Sequence, residues 1–362
     1  LNCSIFNIFI ISKAIKVVQN KKILFLTRLY FPHIGGVEKH VAKLSELLVA
    51  KGYLVSIVTE LHDKKLLQFE KHGNVSIYRI PVSQNLFLKK FYIWKWIFLN
   101  LGIFYGSDII HIHDVFYWVL PFRLFVPFKK IFMTFHGYEG DPVKLEWKIA
   151  RKIAEMLTNG NICVGDFMKK WYKTVSSSII YGGVSLSKKN KEQRTKNNML
   201  NSVFFGRLDD QTGILEYIEA FRKIKKIYPE FKLTVVGEGP LRKEISNGVK
   251  VLKFTDDVED FILRSRFIFV SRYLSMLEAL AKKRTVIAVY DNPIKKDYLL
   301  MSPFKNYINV AKNSEEIAGF VLKNIKNGSS EKTIKAGYEW AKEQTWEKVA
   351  NAYLELWKKG FS

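Results

Sequence analysis

Three apolar segments of strand type follow one another within residues 203–289, and each ends in a turn suited to a phosphate or a nucleotide. The turns begin at Gly206-Arg207, at Gly237-Glu238 and at Ser271, and the last one opens a helix that carries Glu278. In an open parallel α/β sheet, ligands bind outside the carboxyl ends of the strands. We therefore expect the three turns to converge on one crevice.

The first half of the chain shows the same alternation of strands and helices. Apolar runs of strand type lie at residues 23–27, 54–59, 76–80, 108–113 and 130–135. Between the first two runs, Val37, Val41, Leu44 and Leu48 recur at the spacing of an amphipathic helix. Strands separated by helices predict a parallel sheet with right-handed crossovers. The predicted fold class is therefore α/β, with the same arrangement used twice.

A polar, lysine-rich stretch at residues 185–201 separates the two halves and is typical of a linker. We therefore assign residues 21–184 and 202–344 to two α/β domains. Residues 1–20 precede the first clear strand and are expected to form a dispensable extension. The tail from residue 331 predicts two helices with a break near Gln344-Thr345.

The formal net charge of +24 has two interpretations. It attracts anions such as sugar nucleotides, nucleic acids or acidic membranes, or it reflects a solvated lysine-rich surface, since only 12 of the 58 basic residues are arginine. No run of basic residues alternates with aromatic ones as in a nucleic-acid module, so we expect no nucleic-acid partner.

Cys3 and Cys163 have no spacing partner for a zinc motif or a disulfide framework, and fit a reducing compartment.

Two apolar stretches raise the question of a membrane. Residues 3–12 are too short to span one and lack the preceding basic residues of a signal peptide. Residues 91–105 are rich in aromatics, and they fit either a core helix or a helix at a membrane interface, where Lys89, Lys90 and Lys95 would meet lipid phosphates. We expect a cytoplasmic protein, with peripheral contact to an anionic membrane as a candidate interaction.

Several short motifs occur in order along the chain. They are Gly35-Gly36-Val37-Glu38, His111-Ile112-His113, Thr134-Phe135-His136-Gly137, Ile180-Tyr181-Gly182-Gly183-Val184, Gly206-Arg207-Leu208, Gly237-Glu238-Gly239-Pro240, Glu278-Ala279 and Thr345-Trp346-Glu347. Together they resemble the GT-B glycosyltransferases, and more specifically the retaining, nucleotide-sugar-dependent family 4 (glycosyl transferases group 1).

The resemblance implies two Rossmann-like domains facing each other across a cleft, the first on the acceptor side and the second binding the nucleotide sugar. Residues 345–362 would form a closing helix that returns to the N-terminal domain. The implied reaction transfers a sugar from a nucleoside diphosphate sugar to a hydroxyl acceptor with retention, in the synthesis of a cell-surface polysaccharide or glycolipid. The acceptor would be a glycan or a lipid-linked molecule, and no cofactor or metal is expected.

The expected donor site begins with glycines and one arginine. Gly35 and Gly36 lack a Cβ, so backbone amides at a helix start can approach a phosphate or a sugar. Arg207 is expected to point its guanidinium into the cleft and to stabilise the departing diphosphate. The turn at Glu238 is a candidate contact with the nucleotide base through its backbone.

The helix after Ser271 completes this donor site. The resemblance implies that Glu278 accepts hydrogen bonds from the two ribose hydroxyls. It also implies that the backbone amides of Leu274, Ser275 and Met276, at the start of that helix, meet the diphosphate.

His113 and His136 are the candidate catalytic histidines, because both end predicted strands at the edge that faces the cleft. A histidine there can hydrogen-bond the donor sugar or the acceptor and assist proton movement near neutral pH. His111 lies deeper on the same sheet face and is interpreted as a core residue. Asp114 and Glu139 are interpreted as solvated loop carboxylates.

The chain departs from the family pattern at two positions. Thr212 stands where the family usually has a lysine, so one expected cation is missing, and Lys295 or Lys296 is a candidate substitute. The family usually has two glutamates about eight residues apart, but Val270 occupies the position of the first, and only Glu278 remains.

These departures keep a second interpretation open, namely a relative that binds a nucleotide or a glycan without transfer, or that uses a different donor. A Rossmann dehydrogenase is disfavoured, because Gly35-Gly36 lacks the third glycine of the dinucleotide fingerprint at the required spacing.

Overall fold

A computed structural model describes residues 21–83, 85–123, 125–186, 199–245, 249–255, 257–328 and 330–360, with the backbone alone for Leu86 and Phe87. The described residues form two β-sheets flanked by helices. The extension predicted at residues 1–20, and residues 187–198 of the predicted linker, lie outside the described residues. Strand pairing divides the described chain between Ile180 and Asn201.

The first sheet has eight strands. They are β1 (Lys22–Thr27), β2 (Leu54–Glu60), β3 (Phe69–His72), β4 (Val75–Ile80), β5 (Ile109–His113), β6 (Ile131–Phe135), β7 (Asn161–Val164) and β8 (Ser178–Ile180). Their order is β3-β4-β2-β1-β5-β6-β7-β8, and the β3–β4 pair is antiparallel while the others are parallel. The register pairs Thr27 with His113 and His113 with Thr134, so these side chains meet at the carboxyl edge of the sheet.

Helices cover both faces of this sheet. They are α1 (Gly36–Ala50), α2 (Leu86–Leu99), α3 (Leu101–Tyr105), α4 (Leu120–Arg123), α5 (Leu145–Leu157) and α6 (Phe167–Tyr172). Successive strand residues point to opposite faces, and β1 shows this directly. Ile23 and Phe25 pack in the same core cluster as Leu44 of α1, whereas Leu24 and Leu26 join the cluster that contains Ile93 of α2.

The second sheet has six parallel strands, ordered β11-β10-β9-β12-β13-β14. They are β9 (Asn201–Phe205), β10 (Lys232–Val236), β11 (Lys250–Leu252), β12 (Phe267–Phe269), β13 (Thr285–Val289) and β14 (Asn309–Ala311). The helices of this half are α7 (Ile214–Ile227), α8 (Glu259–Leu263), α9 (Tyr273–Leu280), α10 (Pro293–Leu300), α11 (Ser314–Asn327) and α12 (Glu331–Lys342).

The last described helix, α13 (Trp346–Lys359), packs on the first half rather than on the second. Tyr353 and Trp357 are buried in the cluster that holds Phe25 of β1 and Leu44 of α1. Its N-cap is Thr345, whose side chain accepts a hydrogen bond from the Lys348 amide. The chain therefore crosses back to its first half after the second half is complete.

Most of the predicted strands are confirmed, but β3, β7 and β14 were not predicted. β3 is an exposed edge strand of sequence Phe-Glu-Lys-His, so it has no apolar run to detect. β14 is only three residues long, and β7 contributes only four. Among the described residues, no helix is both long and apolar enough to cross a membrane.

Candidate active site

A cavity of about 450 Å³ lies between the two halves of the chain. One wall comes from the loop after β1 and from α1, and the other comes from α8, α9 and the residues before α8. The lining includes Gly35, Glu38, Lys39, Glu259, Glu278 and Lys282. Two of the residues predicted from the sequence, Gly35 and Glu278, therefore belong to one interdomain cavity.

A salt bridge crosses this cavity. The Lys39 ammonium on α1 donates to the Glu278 carboxylate on α9, and both side chains are partly exposed. Glu278 follows β12 at the carboxyl end of the second sheet, which is where ligands of parallel α/β sheets bind. The two halves are thus joined directly at the acid expected to hold a ribose.

The start of α1 is shaped by Glu38. Gly35 is the N-cap residue in an extended conformation, and a Cβ placed there would come within 2.3 Å of Glu38 Oε2. The Glu38 carboxylate also accepts a hydrogen bond of 3.0 Å from the His33 ring. At Gly36 an added Cβ would meet nothing within 4 Å. Only Gly35 is therefore closely packed, and its neighbour is a flexible carboxylate.

The start of α9 offers fewer amides than predicted. The Tyr273 amide donates to the Tyr298 hydroxyl at 2.8 Å, and the Met276 amide donates to the Arg272 carbonyl at 3.0 Å. The prediction that the Met276 amide meets a ligand is wrong, because the helix already begins at Tyr273 and uses that amide internally. Leu274 and Ser275 lie in the first turn, where amides have no intrahelical acceptor.

Arg207 and Glu238 both lie outside the cavity lining. Arg207 is 57% exposed and its guanidinium pairs with Asp209 at 3.1 Å, rather than pointing into the cavity as predicted. The Glu238 side chain is exposed, and its carbonyl accepts a hydrogen bond of 2.9 Å from the Leu208 amide. A Cβ on Gly237 would lie 2.0 Å from the Gly206 carbonyl oxygen. The turns after β9 and β10 therefore converge, as the sequence predicted.

Four histidines, three of them buried and one half-buried, cluster under the carboxyl edge of the first sheet. They are His40, His111, His113 and His136. His113 Nδ1 lies 2.9 Å from His136 Nε2, and His113 is only 1% exposed. The prediction that His113 faces the cleft is wrong, because His40 of α1 and Tyr353 of α13 cover it. His136 is half-buried, and the interpretation of His111 as a core residue is confirmed.

Burial controls the protonation of this cluster. It is the largest cause that lowers the pKa of His40, His111 and His113 well below 6.5, and it lowers the pKa of His136 to about 3. All four rings are therefore neutral at neutral pH. Among the residues with described positions, no group of three His, Cys, Asp or Glu side chains is arranged to hold a metal ion.

The comparison with known families decides the identity of the chain. A model described as Glycosyltransferase Family 4 matches residues 34–188, and one described as Glycosyl transferases group 1 matches residues 200–323. The chain belongs to glycosyltransferase family 4. The two models together match most of both halves of this glycosyltransferase.

Individual relatives agree with this assignment. An uncharacterised glycosyltransferase of Methanocaldococcus jannaschii is 26% identical over 369 residues, covering 92% of this chain and 98% of that protein. The phosphatidyl-myo-inositol mannosyltransferase of Mycobacterium tuberculosis is 26% identical over 248 residues, covering 62% of this chain and 63% of that protein. The structure of sucrose-phosphate synthase from Thermosynechococcus elongatus matches with a TM-score of 0.74 at 16% identity, covering 94% of this chain and 99% of that one. The predicted GT-B fold is confirmed.

The two positions at which the sequence was expected to depart from the family pattern are both buried in the structure. Val270 is fully buried. Thr212 is also buried, and its hydroxyl donates to the Asp209 carbonyl at 2.7 Å. Neither residue offers a charged group to a ligand.

Two acids of this glycosyltransferase were misread from the sequence as solvated. Asp114 has a left-handed backbone with φ of 61°, its Oδ1 accepts a 2.8 Å hydrogen bond from the His136 amide, and burial raises its pKa to about 6. Glu139 pairs with the buried Arg151 at 2.9 Å and accepts a hydrogen bond from Tyr172. Asp114 directly follows His113 and Glu139 follows His136 by three residues, and this position after two strand-ending histidines was the available signal.

Sequence reasoning also missed Lys39 and His40. They lie three and four residues after Gly36, so both are next to the start of the same helix. Lys39 reaches Glu278, and His40 enters the histidine cluster.

Proposed function

We propose that this glycosyltransferase transfers a sugar from a nucleoside diphosphate sugar to a hydroxyl acceptor with retention of the anomeric configuration. The observation that carries the proposal is Glu278, which lies in the interdomain cavity and is held by Lys39 from the opposite half. An ionised carboxylate only accepts hydrogen bonds, and the two ribose hydroxyls are donors. A bound nucleotide would therefore take the place of the Lys39 ammonium on Glu278.

The diphosphate would lie at the start of α9. The first-turn amides of Leu274 and Ser275 are donors there, and Arg272 and Arg207 are the nearby guanidinium groups that would approach the phosphate oxygens on domain closure. Positive groups fixed before the reaction stabilise charge as it develops on a leaving group. In this proposal the bond from the sugar to the diphosphate breaks, the acceptor oxygen bonds to the same carbon, and a phosphate oxygen takes the acceptor proton. No metal is required by this chemistry.

His136 is the proposed contact with the donor sugar or the acceptor. Its amide is fixed by Asp114 and its ring by His113, so its orientation is determined from two sides. Because the ring is neutral, it offers one donor and one acceptor rather than a positive charge. His113 is buried and therefore acts as a positioning residue for His136.

Thermal unfolding with saturating UDP, GDP or ADP tests the donor site. A ligand at about one hundred times its Kd stabilises a one-site protein by roughly 2.7 kcal/mol. Each kcal/mol raises the Tm of a domain of this size by about 2–4 °C. We expect one nucleotide to raise the Tm, the shift to be lost in Glu278→Ala, and the shift to persist in the control Glu230→Ala, which alters an exposed acid of the same half. No shift with any nucleotide would overturn the donor assignment.

Retention is tested by comparing the anomeric configuration of donor and product by NMR.

A second candidate function is nucleotide or glycan binding without transfer. The buried Val270 supports it, because the acid that would grip the donor sugar is missing. Incubation with radiolabelled nucleotide sugars separates the two functions. A Tm shift without any release of nucleoside diphosphate would favour binding alone.

We further propose a lipid-linked or surface-glycan acceptor at an anionic membrane. Ile93 and Ile97 of α2 are buried in the core, while other side chains of α2 and α3 are exposed. The exposed apolar residues are Leu88, Phe91, Tyr92, Phe98, Leu99 and Tyr105. Lys90 and Lys95 are exposed beside them, whereas Lys89 is paired with Glu60 at 2.6 Å and is not available to lipid phosphates.

The relative from Mycobacterium tuberculosis is named for a phosphatidyl-inositol acceptor, which supports an acceptor at a membrane. Sedimentation with vesicles of anionic lipid at low salt tests this proposal. Binding should be lost in Phe91→Ser/Phe98→Ser and kept in Ile227→Ser, which changes a residue 61% exposed on α7. Equal sedimentation of the two variants, or none for the unmodified protein, would overturn it.

A further inference from the structure

Lys295 is a buried lysine that the proposed mechanism has not yet used. It is the third residue of α10, and its amide donates to the side chain of the N-cap Asn292 at 2.8 Å. The side chain is only 1% exposed. Its ammonium donates to the Ser271 carbonyl and lies 4.6 Å from the centre of the Tyr298 ring. The Lys295 ammonium therefore lies against the turn that leads into α9.

The Lys295 ammonium has no carboxylate partner among the described residues. Burial is the largest cause that lowers its pKa, and the neighbouring Arg272 lowers it further, while Asp291 and Asp209 act in the opposite direction without forming an ion pair. A buried cation without a partner is unfavourable, and a second cation beside it adds repulsion. An anion bound near Lys295, Arg272 and the start of α9 would offset this cost.

The same turn contacts Thr212, the position where the sequence lacks its expected cation. The Ser271 hydroxyl donates to the Thr212 carbonyl, and Arg272 donates to Gln211 Oε1 at 3.1 Å. Ser271 thus links Lys295 to the loop of residue 212. Its neighbour Lys296 is exposed and lies over the Tyr290 ring, so it does not reach this turn.

We propose that Lys295 provides the positive charge at the diphosphate of a bound nucleotide, in place of the cation that is absent at Thr212. This inference rests on the proposed function. An ammonium has three donors, and one is used by Ser271. The remaining donors, together with Arg272 and the amides of Leu274 and Ser275, suit the oxygens of a diphosphate.

The test is calorimetric titration with inorganic pyrophosphate, with UDP, GDP and ADP, and with the matching nucleosides. Loss of one hydrogen bond to a charged group corresponds to roughly 10- to 100-fold in affinity. We expect Lys295→Met to weaken pyrophosphate and the preferred nucleoside diphosphate by this factor while the nucleoside binds as before. Lys323→Met, which removes an exposed lysine of α11, should bind every ligand like the unmodified protein.

A second variant separates charge from packing. Lys295→Gln keeps a donor for the Ser271 carbonyl and removes the charge, so it should also lose pyrophosphate affinity. Unchanged pyrophosphate affinity in either folded variant would overturn the assignment of Lys295 alone. If the unmodified protein binds nucleoside diphosphate and Lys295→Met binds it equally well, the assignment of Lys295 is wrong but the proposed function stands. If the unmodified protein binds no nucleoside diphosphate, both the assignment and the proposed function fail.

Discussion

Trp357 Nε1 donates a hydrogen bond of 3.0 Å to His111 Nδ1. An indole nitrogen can only donate, so a neutral His111 donates from Nε2 to Thr134 Oγ1, 2.8 Å away. With Thr134 donating to the Tyr353 hydroxyl at 2.8 Å and Tyr353 donating to His40 Nε2 at 2.9 Å, both hydroxyl protons have an acceptor. One hydrogen-bond direction therefore runs from α13 across the sheet to α1, and it requires both histidines to be neutral.

Acidification is expected to destabilise the protein for this reason. The pKa values of the four clustered histidines are lowered on folding, so below pH 6.5 the unfolded chain binds protons that the folded chain rejects. The stability from these groups is fully present above pH 6.5 and is lost as the pH falls, by up to about 1.4 kcal/mol per pH unit for each histidine. Urea unfolding at about pH 7.5, 6 and 5 measures the decline.

Asp114 acts in the opposite direction in part of this range. Its folded pKa is raised to about 6, so between about pH 4 and 6 the folded chain holds a proton that the unfolded chain has released. In this range the resulting gain in stability offsets the loss caused by about one histidine. Asp114→Asn should therefore steepen the decline in that window. A urea midpoint that does not change between pH 7.5 and 5 would contradict the neutral cluster.

Removing the Tyr353 hydroxyl is expected to lower the stability. In Tyr353→Phe the buried His40 Nε2 loses its partner, whereas Thr134 keeps its contact with His111. An unsatisfied buried group costs about 1–3 kcal/mol, or a fall in Tm of about 2–4 °C per kcal/mol. Differential scanning calorimetry measures it, with the half-exposed Tyr92→Phe as the matched change. Equal Tm values for the two variants would refute the directed chain.

Asp114 should tolerate asparagine but not alanine. Its φ of 61° is a left-handed conformation that asparagine and aspartate adopt far more readily than alanine does. Asp114→Ala is expected to lose about 1–2 kcal/mol for the backbone, in addition to the hydrogen bond to the His136 amide. Asp114→Asn keeps that acceptor. Denaturant unfolding of the pair at pH 7.5 would show the difference, and an Asp114→Ala variant as stable as Asp114→Asn would argue against it.

Lys39 should compete with the nucleotide for Glu278. Removing the ammonium in Lys39→Met is expected to tighten nucleoside diphosphate binding a few-fold, because a partly exposed ion pair is worth about 0.2–1 kcal/mol. Lys43→Met is the control, since Lys43 lies on the same helix and pairs with Glu46 at 2.8 Å instead. Titration calorimetry decides the matter: weaker binding in Lys39→Met would mean that Lys39 holds the ligand itself.

The fold was accessible from the sequence where local signals were strong. The apolar runs of β1, β2 and β5 and the helical spacing in α1 are each readable within a few residues. β3 was not, because its place in the sheet depends on pairing with β4 rather than on burial of its own side chains. Edge strands with mostly exposed residues carry little sequence signal.

The site was only partly accessible, because its geometry depends on contacts between distant segments. Glu278 was identified through its motif and lies in the cavity, but its partner Lys39 is 239 residues away in the sequence. Covering of His113 by α13 likewise depends on a helix from the far end of the described chain. The burial of Lys295 follows from the packing of α10 under a turn, which no local pattern records.

The return of α13 to the first sheet also bears on synthesis. Trp346, Tyr353 and Trp357 complete a core that begins at β1, yet they are translated after the whole second half. At roughly 5–20 residues per second, on the order of ten seconds separates β8 from α13 on the ribosome. During that interval one face of the first sheet stays incompletely covered. We infer that the second half is the first to reach its native core in the nascent chain.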